Sequence, residues 1–487
     1  METLYDVVII GGGVVGSSIA RELSKYKLKI CVLEKELDVC CETSGRNSGV
    51  LHAGFNNKPG SLMAKFCVEG NKNFDEVAKE LDIPFKRTGK LVVGFTEEDK
   101  EKLIEMKEQG EANGVEGLEI INKEKIKELS PFVDGNFALY SPSTGILNPF
   151  IYTIAMAENA VCNGVSYFLD NEVLEIKKIS DENIYEIKSN KGNYKSRWII
   201  NCAGLNSDKI SNMMGIKEYS IYPCRGQYFI LDQKVGEYLN MPAYPVPNPK
   251  EGGLGIHLTP SIDGNVFIGP SSEYIDEKDD YSVTKDVMDL LIEDGGRIFP
   301  HIKKEHFIRN FSGIRPKLVG KDQGGYDDFK IELREDISNF INLVGIESPG
   351  LTSAVPIAKY VVNLLSQKEN IEENPNFNKY RKGIINFKEQ PIEIKKKLIE
   401  EDENYGEIIC RCETITKAEI LQAINNPLSV ETVTGIKYRT RAMMGRCQGG
   451  YCQTRITKMI KEIKNKKEEE ILYCRKNSNM FVGKVRV

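Results

Sequence analysis

The chain has 487 residues, 40% of them hydrophobic and 28% charged, with a formal net charge of −5. This is the composition of a soluble globular protein with room for a large domain and a small one, or for two to three domains. The acidic balance argues against general affinity for nucleic acid or anionic lipid. No apolar run approaches the ~18 residues that a bilayer span needs, which leaves peripheral membrane association open.

The first residues, METLYDVVIIGGG, run into a strand without a basic leader, so a cytoplasmic protein is expected. Twelve cysteines in a reducing compartment do not predict a disulfide framework. Eight of them (Cys31, Cys40, Cys41, Cys67, Cys162, Cys202, Cys224 and Cys474) lack ligand spacing and read as small buried apolar residues.

In chain order, YDVVIIGGGVVGSSIARELSKYKLKICVLEKE predicts strand, glycine turn, helix and strand. Val7 to Ile10 form a continuous apolar run, as in a parallel strand buried on both faces. Gly11, Gly13 and Gly16 complete G-x-G-x-x-G, which allows a tight turn, close approach of a pyrophosphate and close helix packing. Glu34 ends the second strand, where an acid meets a ribose hydroxyl. The set predicts a dinucleotide site. FAD is expected rather than NAD, because the glycine turn opens the chain and no second one follows.

Further along, RWIINCAGLNSD is an apolar strand entering the small-residue turn Ala203-Gly204. FINLVGIESPGLTSAVPIAKYV is another buried strand followed by an apolar helix. Side chains able to accept a proton or to hold an anion are the next candidates along the chain. Of four histidines, His301 and His306 sit in the charged stretch FPHIKKEHFIR and read as solvated surface. His52, in NSGVLHAGF, lies among small residues; on the residues alone, a base and a structural histidine both stay open. His257, in GGLGIHLTP, is the second candidate, for orienting or binding substrate. Arg315, in FSGIRPK, suits a phosphate or carboxylate clamp, with Arg225 of PCRGQYF assisting; a surface ion pair is the alternative for each.

Asn386 to Glu407 is charged and poor in apolar residues, and reads as a linker with a short helix. Then come ICRCETITKAEI and GRCQGGYCQT, with Cys410, Cys412, Cys447 and Cys452 in a C-x-C and C-x4-C pattern. Four thiolates can hold zinc or an iron–sulfur cluster, but zinc ribbons favour C-x2-C in both halves. Thr414 or Thr416 would cap the helix that follows. Arg411, Lys437, Arg439, Arg441 and Arg446 surround the thiols in sequence; they would offset an anionic cluster and offer a face to a redox partner. The tail, residues 466–487, carries no signal.

The segments GGGVVGSSIARELS, TSGRNSGVLHAGFNNKPGSLMAKFCVEGN, NCAGLNSD, GGLGIHLTPSIDGNVFIGP, SGIRPK and GIESPGLTSA resemble the D-amino-acid-oxidase-like superfamily of FAD-dependent oxidoreductases. Within it the chain is most similar to the glycerol-3-phosphate dehydrogenase and oxidase branch and to the L-2-hydroxyglutarate dehydrogenase branch. The stretch IKYRTRAMMGRCQGGYC resembles the bacterioferritin-associated-ferredoxin-like module that carries a [2Fe–2S] cluster. The resemblance implies an α/β fold: a Rossmann-like FAD-binding domain (about 1–75, 150–218 and 325–385) interleaved with an α+β substrate domain on a mixed sheet (about 76–149 and 219–324). A small helical [2Fe–2S] domain (408–465) would follow the linker (386–407).

The resemblance also places Ser44, Gly45, Asn47 and Ser48 along the flavin, Val173 at the adenine end, and Gly350, Leu351 and Thr352 near the pyrimidine edge. It makes His52 the base. The implied activity is oxidation of sn-glycerol 3-phosphate to dihydroxyacetone phosphate by hydride transfer to flavin, with electrons leaving through the cluster to a redox partner protein or subunit. L-2-hydroxyglutarate as substrate, or a non-catalytic electron carrier, are the alternatives.

Overall fold

The structure, a computed structural model, describes residues 3–179, 183–247 and 255–483. Its first layer is an eight-stranded sheet. The strand Leu4–Ile10 lies between Ile30–Leu33 and Asn193–Asn201, parallel to both, with Val7 opposite Ile30 and Trp198. Val7 and Ile9 pack into one apolar cluster and Val8 and Ile10 into another, on the two faces of the sheet. This two-sided burial is why the run contains no polar residue. The helices Val14–Leu23 and Gly350–Ser366 cover the first of these faces.

Strand Asn193–Asn201 is long enough to pair antiparallel with Ile184–Ser189 near its start and parallel with Phe340–Val344 at its end. The chain thereby returns late to the sheet it began, and the helix after Phe340–Val344 starts beside the glycine turn.

The second layer is a nine-stranded, mostly antiparallel sheet. Its spine is the pairing of Tyr222–Leu231 with Phe307–Lys317, in which Gly226 faces Gly313 and Cys224 faces Arg315. One parallel pairing joins Ala243–Pro245 to Lys90–Gly94. The strands of the first sheet lie within residues 4–33, 166–201 and 330–344, and those of the second within residues 90–141 and 222–317.

The C-terminal module holds the helices Lys417–Ile424, Val433–Thr440 and Cys452–Lys464, with the two-stranded Ile408–Cys410 and Ile415–Thr416. Thr416, not Thr414, caps its first helix, in a reciprocal box with Glu419.

Two sequence expectations need correction. The segment Asn386 to Glu407 is no free linker: Phe387 and Tyr405 are buried together against Ala418. The tail is also structured, since Ile471 is fully buried in the module core and Val433 N–H donates to the Leu472 carbonyl. In both segments a few apolar anchors sit among many solvated charges, and these dominate the composition. Of the eight cysteines read as small buried residues, Cys162 is exposed.

Candidate active site

A long cavity opens between the two sheets. Glu34, Val173, Gly11, Gly13, Ser44, Asn47, Ser48, Ala203 and Gly204 line it, together with Gly350 and Leu351 and with His52, His257 and Arg315.

The glycine turn leaves no room for side chains. A Cβ on Gly11 would stand 2.4 Å from the Cys202 carbonyl oxygen, and one on Gly16 2.0 Å from that of Gly11. Gly11 also has φ +112°, a conformation open to glycine. Neither Val14–Leu23 nor Gly350–Ser366 has a capping side chain on its own N-cap residue or an acidic residue in its first turn, and Ser44 Oγ accepts the Val14 N–H at 2.9 Å. Both helix N-termini border the cavity, where their dipoles favour an anionic dinucleotide. Glu34 accepts from the Gly12 N–H at 2.6 Å and the Glu36 N–H at 2.9 Å. Burial raises its pKa to about 7. These residues fit FAD.

Three residues expected at the flavin support the cavity from behind. Gly16 packs the helix on the turn; Gly45 is pressed against the Cys40 carbonyl, 2.3 Å from where its Cβ would be. The Thr352 hydroxyl accepts the His52 backbone N–H at 3.0 Å.

The second sheet supplies His257 and Arg315. His257 Nδ1 lies 2.9 Å from the Gly255 carbonyl oxygen, which can only accept, so Nδ1 is the protonated nitrogen and donates. Nε2 is then the free acceptor, and it has no hydrogen-bond partner among the described residues. Burial first, and Lys90 second, pull the His52 imidazolium down to about 3. Burial holds His257 well below the usual histidine range too, and Lys90 adds to that against the Gly255 contact. Both rings are therefore neutral at pH 7. Residues 252–254 of the GGLGIHLTP motif lie outside the described residues.

Arg315 donates to the Ser271 carbonyl at 3.1 Å and approaches Cys224 Sγ at 3.5 Å; among the described residues no carboxylate pairs with it. Gly226 makes its space, since a Cβ there would lie 3.0 Å from an Arg315 nitrogen. Arg225 is the correction. Neighbours along a strand face opposite sides, so Arg225 points away from the cavity face of Cys224 and Arg315. Its guanidinium is occupied by Glu273 at 2.9 Å and Asp280 at 2.6 Å. Sequence reasoning missed the aromatic wall of Tyr228, Tyr244 and Tyr326, which carries no motif.

The four cysteine thiols of the C-terminal module meet as two contacting pairs, Cys410 with Cys452 and Cys412 with Cys447. Among the described residues no three His, Cys, Asp or Glu side chains converge as a single metal ion needs. Two pairs suit a binuclear cluster better than one tetrahedral zinc ion. Backbone N–H groups point at the sulfurs: Met443 and Glu413 toward Cys410, and Gly449, Gly450 and Tyr451 toward Cys447. The loops achieve this with positive φ at Thr414, Met443, Gln448 and Gly449. Contact with Cys452 is the main reason that the Cys410 thiol is drawn down to about 6.

The expected ring of cations divides. Arg439 pairs with Asp38 at 2.6 Å and Arg441 with Asp263 at 2.6 Å and Glu413 at 2.7 Å, so these two fasten the module to the body. Phe150 of the body stacks on Tyr438 with ring centres 4.1 Å apart. Lys437 is buried near Cys452 without a carboxylate partner among the described residues. Arg411 and Arg446 remain exposed.

The chain matches the model of the FAD dependent oxidoreductase family over residues 6–364 and that of the BFD-like [2Fe-2S] binding domain over residues 408–462. A Caloramator mitchellensis protein named glycerol 3-phosphate dehydrogenase is 43% identical over 460 residues, 94% of each chain. An alignment of that length cannot fit ahead of residue 408, so it reaches into the cysteine module. Human mitochondrial L-2-hydroxyglutarate dehydrogenase is 31% identical over 75% of this chain and 89% of its own. The dithionite-reduced L-alpha-glycerophosphate oxidase of Mycoplasma pneumoniae, solved with FAD bound, superposes with a TM-score of 0.72 at 30% identity, over 78% of this chain and 98% of the oxidase.

Proposed function

We propose a function from one premise: the chain belongs to the family of FAD-dependent oxidoreductases and carries a BFD-like [2Fe–2S]-binding domain at its C-terminal end. It oxidises sn-glycerol 3-phosphate to dihydroxyacetone phosphate as a dehydrogenase. The observation that carries this reading is Arg315, a cavity-lining guanidinium with no carboxylate partner among the described residues, beside two neutral imidazoles. A planar fork of donors suits a phosphate. His52 takes the hydroxyl proton, and the free Nε2 of His257 holds the substrate hydroxyl in place. The aromatic wall of Tyr228, Tyr244 and Tyr326 excludes water around the reacting carbon.

When bound, the flavin accepts the hydride and the cluster carries single electrons towards an acceptor. The relatives named glycerol 3-phosphate dehydrogenase and L-alpha-glycerophosphate oxidase support this substrate. Anaerobic mixing of the holoprotein with glycerol 3-phosphate tests it. Bleaching of the flavin is expected; bleaching by L-2-hydroxyglutarate alone would transfer the reading to the carboxylate substrate, and bleaching by neither would leave an electron carrier.

A further inference from the structure

Lys90 is a buried cation that the scheme above does not use. It opens the strand Lys90–Gly94 of the second sheet and is 1% exposed. Its Nζ has no hydrogen-bond or ion-pair partner among the described residues. What it does have is aromatic faces: Nζ stands 3.5 Å from the centre of the Tyr244 ring and 5.0 Å from that of Phe55. The His257 ring stacks on the same tyrosine, with centres 3.6 Å apart and planes 12° from parallel. Two groups so close to one ring centre must occupy its opposite faces. Tyr244 therefore separates Lys90 from the imidazole that lines the cavity.

An unpaired ammonium in a protein interior is costly, and ring faces recover only part of that cost. The groups that act on it are the Cys67 thiol, from the helix Leu62–Lys72, and the two imidazoles, which are neutral; none is a carboxylate. Its one missing partner is an anion.

We infer that Lys90 is a positioning residue whose ammonium, acting through the Tyr244 ring, supplies the second positive charge that draws an anionic substrate to Arg315. This rests on the reading that the substrate is an anion. Burial lowers the Lys90 ammonium to about 7, so its charge comes and goes near neutral pH, and a bound anion favours the charged form. Arg315 and the neutral histidines do not change charge between pH 6.5 and 9, but Glu347, which lines the same cavity and is raised to about 7, does, so the part played by Lys90 is read as the difference between wild type and variant at each pH.

Sulfate, whose charge is constant over that range, is the probe, titrated into the FAD holoenzyme and read by perturbation of the flavin spectrum. The wild type should bind it more weakly as pH rises from 6.5 to 9. Lys90→Met should bind about tenfold more weakly at pH 6.5 and match the wild type at pH 9. Lys90→Arg, permanently charged, should keep about the same advantage over Lys90→Met at every pH, while Glu347 weakens both as it ionises. Three results would overturn the inference: no sulfate binding to the wild type at pH 6.5, wild-type affinity in Lys90→Met at that pH, or equal weakening of both variants at every pH. Should glycerol 3-phosphate fail to reduce the flavin, the substrate reading falls while the sulfate series still decides the role of Lys90.

Discussion

Arg439 and Asp38 form an ion pair whose side chains are 2% and 3% exposed, across the seam between the cysteine module and the loop that runs from Glu34 to Ser44. Both oxygens of Asp38 take a guanidinium hydrogen bond, at 2.6 and 3.1 Å. Removing one partner of such a pair strands the other charge in the interior. Arg439→Ala should destabilise the docked form by about 3–5 kcal/mol, while the double change Arg439→Met with Asp38→Leu should recover much of that loss. Limited proteolysis between residues 384 and 410 reads the undocking; equal resistance in Arg439→Ala would show that the seam does not depend on this pair.

Loss of a positioned proton acceptor costs about 10²–10⁴ in rate. His52→Ala should therefore lower the rate of anaerobic flavin reduction by at least about a hundredfold, with FAD retained, since no His52 side-chain contact holds the cavity's glycine turn. Stopped-flow absorbance measures it, and an unchanged rate removes His52 from the chemistry.

The Arg315 clamp can be tested without touching Arg315. Gly226→Ala would put a methyl group 3.0 Å from its guanidinium nitrogen and 2.8 Å from Pro270. KM for glycerol 3-phosphate should rise about tenfold or more, as one charge-assisted contact is misplaced. The same KM in the variant would count against the clamp.

Lys437 offers a separate test of the thiol centre. Burial lowers Lys437 to about 7, and its charged form beside Cys452 favours the more negative, reduced state of a cluster held there. Lys437→Met should shift the midpoint potential of the iron–sulfur signal downwards in a redox titration; an unaltered or higher potential contradicts the placement.

The histidines also set a pH dependence of stability. The folded-state values of His52 and His257 lie below the ordinary 6.5, so the unfolded chain binds more protons once pH falls under 6.5. Their contribution is present above pH 6.5 and declines as pH drops towards about 3. Buried Glu34 and Glu347, both raised to about 7, act in the opposite sense from pH 7 down to about 4.5. The comparison must therefore be differential: between pH 7 and 5, the Tm of His52→Asn should fall less than that of the wild type.

Much of this was legible in the sequence where one residue type has one physical use. The apolar run Val7 to Ile10, the glycine turn and Glu34 state their geometry because strand burial and backbone approach leave few substitutes. The cysteine pairs announce themselves by spacing. The second sheet was harder. Arg225 and Arg315 look alike in sequence, and only the register that sets Cys224 against Arg315 shows that Arg225 faces the other way. Lys90 reads as an ordinary strand-end lysine until Tyr244, far off in the chain, closes over it. Phe387 and Ile471 were hidden by the charges around them.

The central claim is that a substrate-reduced flavin shares its electrons with a two-iron cluster docked against the same body. Anaerobic addition of glycerol 3-phosphate to the holoprotein, followed by low-temperature electron paramagnetic resonance, tests it most directly. The account predicts bleaching of the flavin together with the signal of a reduced [2Fe–2S] centre, the latter lost in Cys412→Ser. A bleached flavin with no iron signal, in protein shown to contain iron, would contradict it.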